Sequence, residues 1–263
     1  MTSKELGSLE DVAGRSPVAK PRPQEAGETL WRNLLGALLW IVGAAAMCAA
    51  SVAVIDRPVA TWMHEHLGYQ QFGWFAANLH GHLLRFGPFG LMAGPSEALR
   101  PLSALAFAIL AIAAYAGWRP RIRGRIAVAL CLSVFASLAI TGIAKEAFGR
   151  TWPESWLGDN PSWIRDGVYE FFPFQGGDGL GSFPSGHTSV VATTATILWL
   201  VWPELRVVWA AIVAVVVVGL IGGNYHFVSD VIGGLYLGVA IGLGIAGLML
   251  SPKDHVTGAR RPY

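Results

Sequence analysis

Charged residues and cysteines are both scarce in this chain. Only 14% of its 263 residues are Asp, Glu, Lys or Arg, whereas 53% are hydrophobic. Ordinary soluble domains carry charge on about a quarter of their residues, so this composition excludes that class. The net charge of +2 gives no basis for a nucleic-acid partner. The two cysteines, Cys48 and Cys131, both fall inside apolar runs, so we expect no structural disulfide.

The hydrophobic residues are concentrated in long runs rather than in periodic stripes. A helix needs about 20 apolar residues to cross the hydrocarbon core of a bilayer, and about 17 are tolerated. Six runs of about this length contain no Lys, Arg, Asp or Glu. They cover residues 34–55, 102–118, 126–144, 186–202, 207–223 and 231–250. The sequence therefore predicts an all-α polytopic membrane protein with six transmembrane helices that form a bundle, rather than the buried helices of a large soluble core.

The distribution of basic residues predicts how these helices are oriented. Thirteen of the 19 lysines and arginines lie in segments that share one side if both termini are on that side. Loops rich in Lys and Arg stay in the cytoplasm, so we expect cytoplasmic termini and two long outer loops, at about 56–101 and 145–185. Residues 1–28 are predicted to be a disordered cytoplasmic tail, 29–251 the membrane domain, and 252–263 a second cytoplasmic tail.

Three short polar segments stand at the predicted outer ends of helices. They contain Lys145 and Arg150 after the third run, Ser185, Gly186 and His187 at the fourth, and His226 and Asp230 before the sixth. On a helix, His226 and Asp230 share a face, so the carboxylate can orient the imidazole. A helix N-terminus and two cations suit a phosphate. Taken singly, each feature has an ordinary alternative, such as a helix cap or a lipid headgroup anchor. Together they predict a phosphoryl-transfer site.

Three motifs resemble the signatures of the type 2 phosphatidic acid phosphatase superfamily. They are KEAFGRTWP at 145–153, PSGH at 184–187 and HFVSD at 226–230, and their order and spacing match across about residues 30–250. The resemblance implies a helical bundle and a metal-independent phosphatase without a cofactor. It also implies that His226 is a nucleophile that forms a phosphohistidine, that Asp230 orients it, and that His187 is the general acid. Lys145, Ser185 and Gly186 would hold the phosphoryl oxygens.

Two positions depart from the family pattern. Trp152 stands where the first motif carries an arginine, and Leu220 stands where an arginine precedes the histidine of the third motif by six residues. We expect Arg150 to bind phosphate in place of the first missing arginine. Arg165 is a second candidate, provided that the outer loop folds back over the site.

The outer loops carry two further patterns. Residues 151–179 contain three tryptophans, three phenylalanines and a tyrosine, which fits either an interfacial aromatic belt or a mobile lid over a lipid. The loop at 56–101 contains the pairs His64/His66 and His80/His82. No matching set of carboxylates or cysteines accompanies these histidines, so no metal site is predicted.

The predicted function is hydrolysis of a phosphate monoester or pyrophosphate of a lipid, either phosphatidate-like or isoprenoid. We expect the protein in the bacterial cytoplasmic (inner) membrane, with its active site facing the periplasm. Its expected partners are the lipid phosphate substrate and the bilayer, and the oligomeric state is left open. One alternative is a lipid phosphotransferase that uses the same histidine with an acceptor other than water. The other is a non-catalytic lipid-binding protein, which the two arginine replacements favour and the presence of His187, His226 and Asp230 opposes.

Overall fold

The computed structural model describes residues 23–67, 122–155, 159–176 and 179–250. The chain divides into two compact units, Met1–Gly43 and Ala44–Tyr263. Within the described residues the regular elements are helical, with isolated β-bridges in the loop that contains Arg150 and Trp152. The all-helical class predicted from the apolar runs is therefore confirmed for this part of the chain.

The helices follow the apolar runs closely. They are α1 (Pro23–Ala50), α2 (Ile122–Phe148), α3 (Trp163–Asp166), α4 (Gly186–Val201), α5 (Arg206–Gly222) and α6 (Val228–Met249). A π-helical segment, Ser51–Ile55, extends α1, and residues 56–67 continue as α-helix. A short 3-10 turn, Pro203–Leu205, precedes α5. The predicted run at 102–118 lies outside the described residues.

Four helical stretches among the described residues are long and apolar enough to cross a membrane. They are Arg32–Leu67, Gly124–Phe148, Pro203–Gly222 and Val228–Met249. Large apolar side chains stand on their surfaces, and Val207 and Leu248 are 81% and 85% exposed. Such surfaces suit lipid contact rather than water. The apolar helix α4 has 16 residues and is shorter than these four.

Two predicted boundaries differ from the structure. Helix α1 begins at Pro23, so residues 23–28, which we assigned to the disordered tail, are helical. Proline fits the first turn of a helix because its missing N–H would have no partner there. Residues 56–67, which we assigned to the first outer loop, are also helical. They follow the π-helical segment directly, and Pro58 lies in the first turn after that segment, where a proline is tolerated.

Helix α4 is central among the described helices and packs against α2, α5 and α6. Its contact with α6 is close because Gly234, Gly238 and Gly242 face it. A Cβ atom on Gly238 would lie only 2.4 Å from the carbonyl oxygen of Ser189. Small residues spaced by four allow two helix backbones to approach in this way. The backbone N–H of Ser185 also donates to the carbonyl oxygen of Asp230 at 2.9 Å, which joins the beginnings of α4 and α6.

The two ends of this bundle differ in polarity. An apolar cluster occupies the end formed by the start of α2 and the last turns of α4 and α6. It contains Ile126, Ala129, Ile197, Val201, Ala246 and Leu250. Buried polar side chains occupy the opposite half, where the Ser137 and Ser189 hydroxyl oxygens lie 2.7 Å apart between α2 and α4. The end of α2 and the beginnings of α4 and α6 therefore meet at a polar end of the bundle.

Candidate active site

His226 lies in the turn between α5 and α6 and is almost fully buried. The carbonyl oxygen of Leu220 accepts the backbone N–H groups of Tyr225 and His226, at 2.9 and 3.3 Å. Leu220, which stands where the family pattern has an arginine, therefore supports this turn through its backbone carbonyl group. The His226 Nδ1 atom lies 3.5 Å from Asp230 Oδ2. This contact is longer than an ordinary hydrogen bond, but it turns Nδ1 towards the carboxylate and leaves Nε2 on the other side of the ring.

Asp230 is fully buried in the first turn of α6. Its Oδ1 atom accepts a hydrogen bond from Arg150 Nη1. Its Oδ2 atom accepts from the Ser182 hydroxyl at 2.5 Å and from the backbone N–H of Phe227 at 2.9 Å. Both carboxylate oxygens are thus held by donors, and the carboxylate has a fixed position beside His226.

His187 comes from the first turn of α4. Its ring centroid lies 6.3 Å from that of His226, so the structure brings the two predicted catalytic histidines together. Ser185 is the N-cap of α4, and its hydroxyl oxygen accepts from the N–H and the hydroxyl of Thr188, at 3.4 and 3.0 Å. Among the described residues, a Cβ atom on Gly186 would meet only the Thr141 methyl group, at 3.6 Å. Packing among the described residues therefore does not require glycine at 186.

Trp152 stands between Lys145 and His226. The Lys145 Nζ atom lies 5.5 Å from the centroid of the Trp152 ring, and the His226 ring centroid lies 5.3 Å from it. The backbone of Trp152 is held by hydrogen bonds with the carbonyl oxygen of Pro161, at 3.2 Å, and the N–H of Trp163, at 2.9 Å. An aromatic face thus occupies the position next to the histidines where the family pattern has a cation.

Arg150, which we expect from the sequence to bind phosphate, is surrounded by buried protein groups. Its side chain is buried, and its Nη atoms bond to Asp56 at 2.8 Å, Ser229 at 2.5 Å, Tyr169 at 3.0 Å, and Asp230. Burial alone would lower the pKa of Arg150, but Asp230 and Asp56 outweigh it and raise the pKa above its ordinary value. These four bonds engage the guanidinium with protein groups and direct it to the carboxylate of Asp230.

Arg165 bonds to residues of its own loop. It belongs to the short helix α3, and its guanidinium bonds to Asp159 at 2.8 Å and to Asp166 at 2.8 Å. The hydrogen bond from Arg165 holds the pKa of the exposed Asp166 carboxyl below its ordinary value. Contacts in the described part of the chain therefore give no support to the prediction that Arg165 folds over the site.

Of the two histidine pairs predicted in the first outer loop, His64 and His66 lie in the described part of the chain. His64 Nδ1 lies 2.5 Å from Glu154, and His66 lies 3.0 Å from the carbonyl oxygen of Trp62. His80 and His82 lie outside the described residues. Within the described ranges, no three His, Cys, Asp or Glu side chains are grouped as metal ligands.

The aromatic loop is tied to the end of α2. Phe174 and Gly176 donate backbone hydrogen bonds to the carbonyl oxygens of Ala147 and Glu146, at 3.1 and 3.3 Å. Gly149 has a φ angle of +55°, and a Cβ atom there would lie 2.0 Å from the carbonyl oxygen of Phe172. The Phe174 side chain is 88% exposed. An exposed phenylalanine suits contact with lipid, and it is compatible with both the belt and the lid that the sequence left open.

A groove of about 500 Å³ opens along the helical residues that follow α1. Arg57, Trp62 and Trp163 contribute to its lining, and neither His187 nor His226 does. The Arg57 guanidinium lies 5.3 Å from the centroid of Tyr169. The groove thus lies beside the residues that surround Arg150 rather than at the histidines.

Burial lowers the pKa of His226 below its ordinary value. Asp230 opposes this change, whereas Lys145 and Arg150 add to it. The neutral imidazole, which has a lone pair available for attack, is therefore the favoured form near neutral pH.

Asp56 belongs to the buried group of side chains around Arg150 and was not identified from the sequence. Its carboxylate is fully buried and accepts from Arg150, Ser229, Ser51 and Tyr169. The available signal was an acidic residue immediately after a long apolar run, since an ionisable group at such a place is costly unless it is paired.

Residues 126–251 match the model of the PAP2 superfamily. The match includes all three motifs and the helices that carry His187, His226 and Asp230. The resemblance predicted from the motifs is thereby confirmed over residues 126–251. The apolar helices support an integral membrane protein, and its residues 126–251 are similar to the PAP2 superfamily.

Two curated relatives and one solved structure are similar to this chain. The chain is 32% identical over 106 residues to a lipid A 1-phosphatase of Rhizobium johnstonii, which is 40% of each chain. A lipid A 1-phosphatase of Rhizobium etli is also 32% identical over 106 residues, which is 40% of this chain and 42% of that one. The match thus spans about two fifths of these relatives. A solved PAP2-type phosphatidylglycerolphosphate phosphatase from Bacillus subtilis aligns with 85% of this chain and 96% of its own, at 20% identity and a TM-score of 0.45.

Proposed function

We propose that the protein is a membrane phosphatase that removes phosphate from a lipid phosphate monoester or pyrophosphate through a phosphohistidine at His226. The observation that carries this proposal is the convergence of His187, His226 and Asp230 at one end of the bundle. The two imidazole centroids are 6.3 Å apart, and Asp230 lies beside Nδ1 of His226. A nucleophile, the group that orients it and a proton donor are the parts that a covalent mechanism needs.

In the first step, the Nε2 atom of His226 attacks the phosphorus atom. The bond between phosphorus and the leaving oxygen breaks, and His187 gives its proton to that oxygen. In the second step, His187 takes a proton from a water molecule that attacks the phosphohistidine. The bond between nitrogen and phosphorus then breaks, orthophosphate leaves, and both histidines return to their starting states.

Asp230 supports these steps by holding the Nδ1–H tautomer of His226 and by stabilising the positive charge on the imidazole after attack. Lys145 and the first backbone N–H groups of α4 would bind the phosphoryl oxygens, because a helix N-terminus favours anions. Ser185 fixes the beginning of that helix, and Gly186 leaves room for the ligand. Arg150 contributes indirectly, by holding Asp230.

Lipid A with a phosphate at position 1 is the substrate to test first. The relatives from two Rhizobium species are named lipid A 1-phosphatases, whose name specifies a phosphate at position 1 of a lipid. Phosphatidate-like and isoprenoid phosphates complete the substrate panel.

We further propose six spans within a membrane domain at 29–251, with cytoplasmic tails on both sides of it. The charge distribution supports cytoplasmic termini. In that orientation, the end of α2 and the beginnings of α4 and α6 face the periplasm across a bacterial inner membrane. The substrate would enter from the outer leaflet.

The test is phosphate release by the purified protein in detergent, in the presence of excess EDTA. Wild type is compared with His226→Ala, and His66→Ala is the matched control because His66 is exposed and contacts Trp62 instead of the cluster. Release that survives EDTA, persists in His66→Ala and disappears in His226→Ala is the expected result. Equal release by wild type and His226→Ala would refute the mechanism.

A phosphotransferase is the second candidate, and the replacement of the family arginine by Trp152 favours it. An aromatic face in place of a hydrated cation would keep water away from the phosphohistidine. Adding lipid or sugar acceptors to the same assay separates the two functions. Transfer to an acceptor without release of orthophosphate would identify the transferase.

A further inference from the structure

Asp56 lies at the centre of a buried network that reaches the proposed nucleophile. We define the Asp56 network as Asp56, Arg150, Tyr169, Ser229 and Asp230. Arg150 bridges the two carboxylates, with Nη2 placed 2.8 Å from Asp56 Oδ2 and Nη1 bonded to Asp230 Oδ1. Asp230 in turn contacts Nδ1 of His226. A single guanidinium therefore connects the end of the first membrane helix to the residue that orients the imidazole.

The local helix geometry aims Asp56 into this network. The π-helical segment Ser51–Ile55 immediately precedes it, and π-helical segments inside α-helices are frequent at functional sites. The Ser51 hydroxyl donates to Asp56 Oδ1 at 2.8 Å. The Tyr169 hydroxyl lies 2.9 Å from the carbonyl oxygen of Val52 and 3.0 Å from Asp56 Oδ2. The altered turn thus supplies both the direction of the carboxylate and an acceptor for the tyrosine.

Asp56 also binds the beginning of α6. Its Oδ1 atom accepts the backbone N–H of Ser229 at 2.9 Å, and its Oδ2 atom accepts the Ser229 hydroxyl. The first N–H groups of a helix have no partner within the helix, and a carboxylate there also interacts favourably with the helix dipole. Asp230 is the next residue along the chain. Asp56 therefore fixes the turn of α6 that carries the orienting carboxylate.

The charges of the network explain why a second carboxylate is useful there. If Asp230 were the sole partner of Arg150, the guanidinium would neutralise it and weaken its attraction to a positively charged imidazole. Asp56 takes one edge of the guanidinium, at Nη2, and leaves one Nη1 bond to Asp230. Two carboxylates and one guanidinium together leave one net negative charge beside His226. That charge favours the positive imidazole that forms on attack.

We propose that Asp56 is a positioning residue for the reaction, which holds Asp230 and preserves its charge for His226. This inference rests on the proposed function of His226 as nucleophile. Asp56 does not contact His226 in any interaction of the described residues, so its effect passes through Arg150 and the beginning of α6. Its loss should therefore affect turnover much more than substrate binding.

The test compares wild type with Asp56→Asn, which keeps the shape of the side chain and removes its charge. Glu204→Gln is the matched control, because it removes an exposed acidic charge in the 3-10 turn at the other end of α4. We expect Asp56→Asn to lower kcat by about tenfold to a hundredfold, since small misplacements at a reacting centre have effects of this size. We expect KM to stay within about threefold of wild type.

The pH profile supplies a readout that a purely structural role would not change. The charged and titratable groups around His226 are Asp230 on α6, Lys145 on α2, His187 on α4, and Arg150. In Asp56→Asn the Arg150 charge acts on Asp230 without a second carboxylate. The acid limb of kcat/KM should then move to lower pH, because the imidazolium loses stabilisation.

Tyr169→Phe tests the network by a milder change if Asp56→Asn proves unstable. It removes one hydroxyl that contacts Asp56 and Arg150, and it should lower kcat by about threefold to tenfold with KM unchanged. If Asp56→Asn folds and its kcat equals that of wild type, the role of Asp56 is overturned and the proposed function remains intact. The absence of phosphate release or transfer by wild type would overturn the proposed function and this inference with it.

Discussion

Replacing Gly238 by alanine should separate α4 from α6 and disturb the site at their beginnings. The added Cβ would lie 2.4 Å from the Ser189 carbonyl oxygen and 2.8 Å from the Ala192 Cβ. Ordinary contacts begin at 3.4 Å, so the backbones must move apart by about 1 Å. Overpacking of this kind costs about 1–3 kcal/mol of stability. A displacement of about 1 Å at reacting groups can lower the rate about a hundredfold.

Gly244→Ala is the matched control, because it lies in the same helix and its Cβ would meet no described residue within 4 Å. Thermal unfolding of the purified proteins in the same detergent measures the stability difference. A loss of 1 kcal/mol corresponds to about 2–4 °C in Tm for a protein of this size. The rate of phosphate release shows whether the displacement reaches His187 and His226. Equal Tm values and equal rates for the two variants would refute the close-packing explanation of how the site is assembled.

Three further predictions concern the site itself. Trp152→Arg should lower the inhibition constant of orthophosphate by about tenfold, because a charge-assisted donor is added beside His226; weaker inhibition would contradict this. Ser182→Ala should lower kcat by about tenfold with little change in KM, since Asp230 loses the donor at 2.5 Å; a matched rise in KM would instead place Ser182 in substrate binding. In wild type, kcat/KM should rise with pH through an apparent pKa below about 6.5, because burial lowers the pKa of the His226 imidazole and the neutral form attacks. An acid limb centred well above neutral pH would contradict that assignment.

The helical architecture could be predicted because apolar runs and helix boundaries have local causes. Ser185 caps α4, and Pro203 prevents its continuation beyond Val201, so this helix follows the predicted run closely. The spacing of four also predicted that Asp230 lies beside His226, although His226 stands in the turn before α6 and not in the helix itself. The ends of α1 were less predictable. The helix begins at Pro23 and continues through a π-helical segment into residues that looked like loop.

The arrangement of the basic residues required the structure. The sequence offers both Arg150 and Arg165 as cations that could replace the two missing arginines. The three-dimensional arrangement differs because Asp56, 94 positions before Arg150, offers a buried carboxylate to Arg150. Arg165 instead has two acidic neighbours within its own loop. No local pattern in one sequence reveals a pairing across so many residues.

The contacts of Trp152 also could not be predicted from the sequence. The motif spacing identified it as a replacement for arginine, but spacing alone did not indicate what the indole contacts. Its ring lies 5.5 Å from Lys145 Nζ and 5.3 Å from the His226 ring, so it remains part of the site with a different chemistry. We therefore propose that the substitution changes the preference for substrate or acceptor, which the assays above can measure.

The most direct test of the proposed mechanism is detection of the phosphohistidine at His226. Turnover of a lipid phosphate would be stopped rapidly under alkaline conditions, and the peptide that contains residue 226 would be examined by mass spectrometry. The mechanism predicts an acid-labile phosphate on His226 that appears during turnover and is absent from His226→Ala. Product formation with no phosphate on His226 at any time would contradict it.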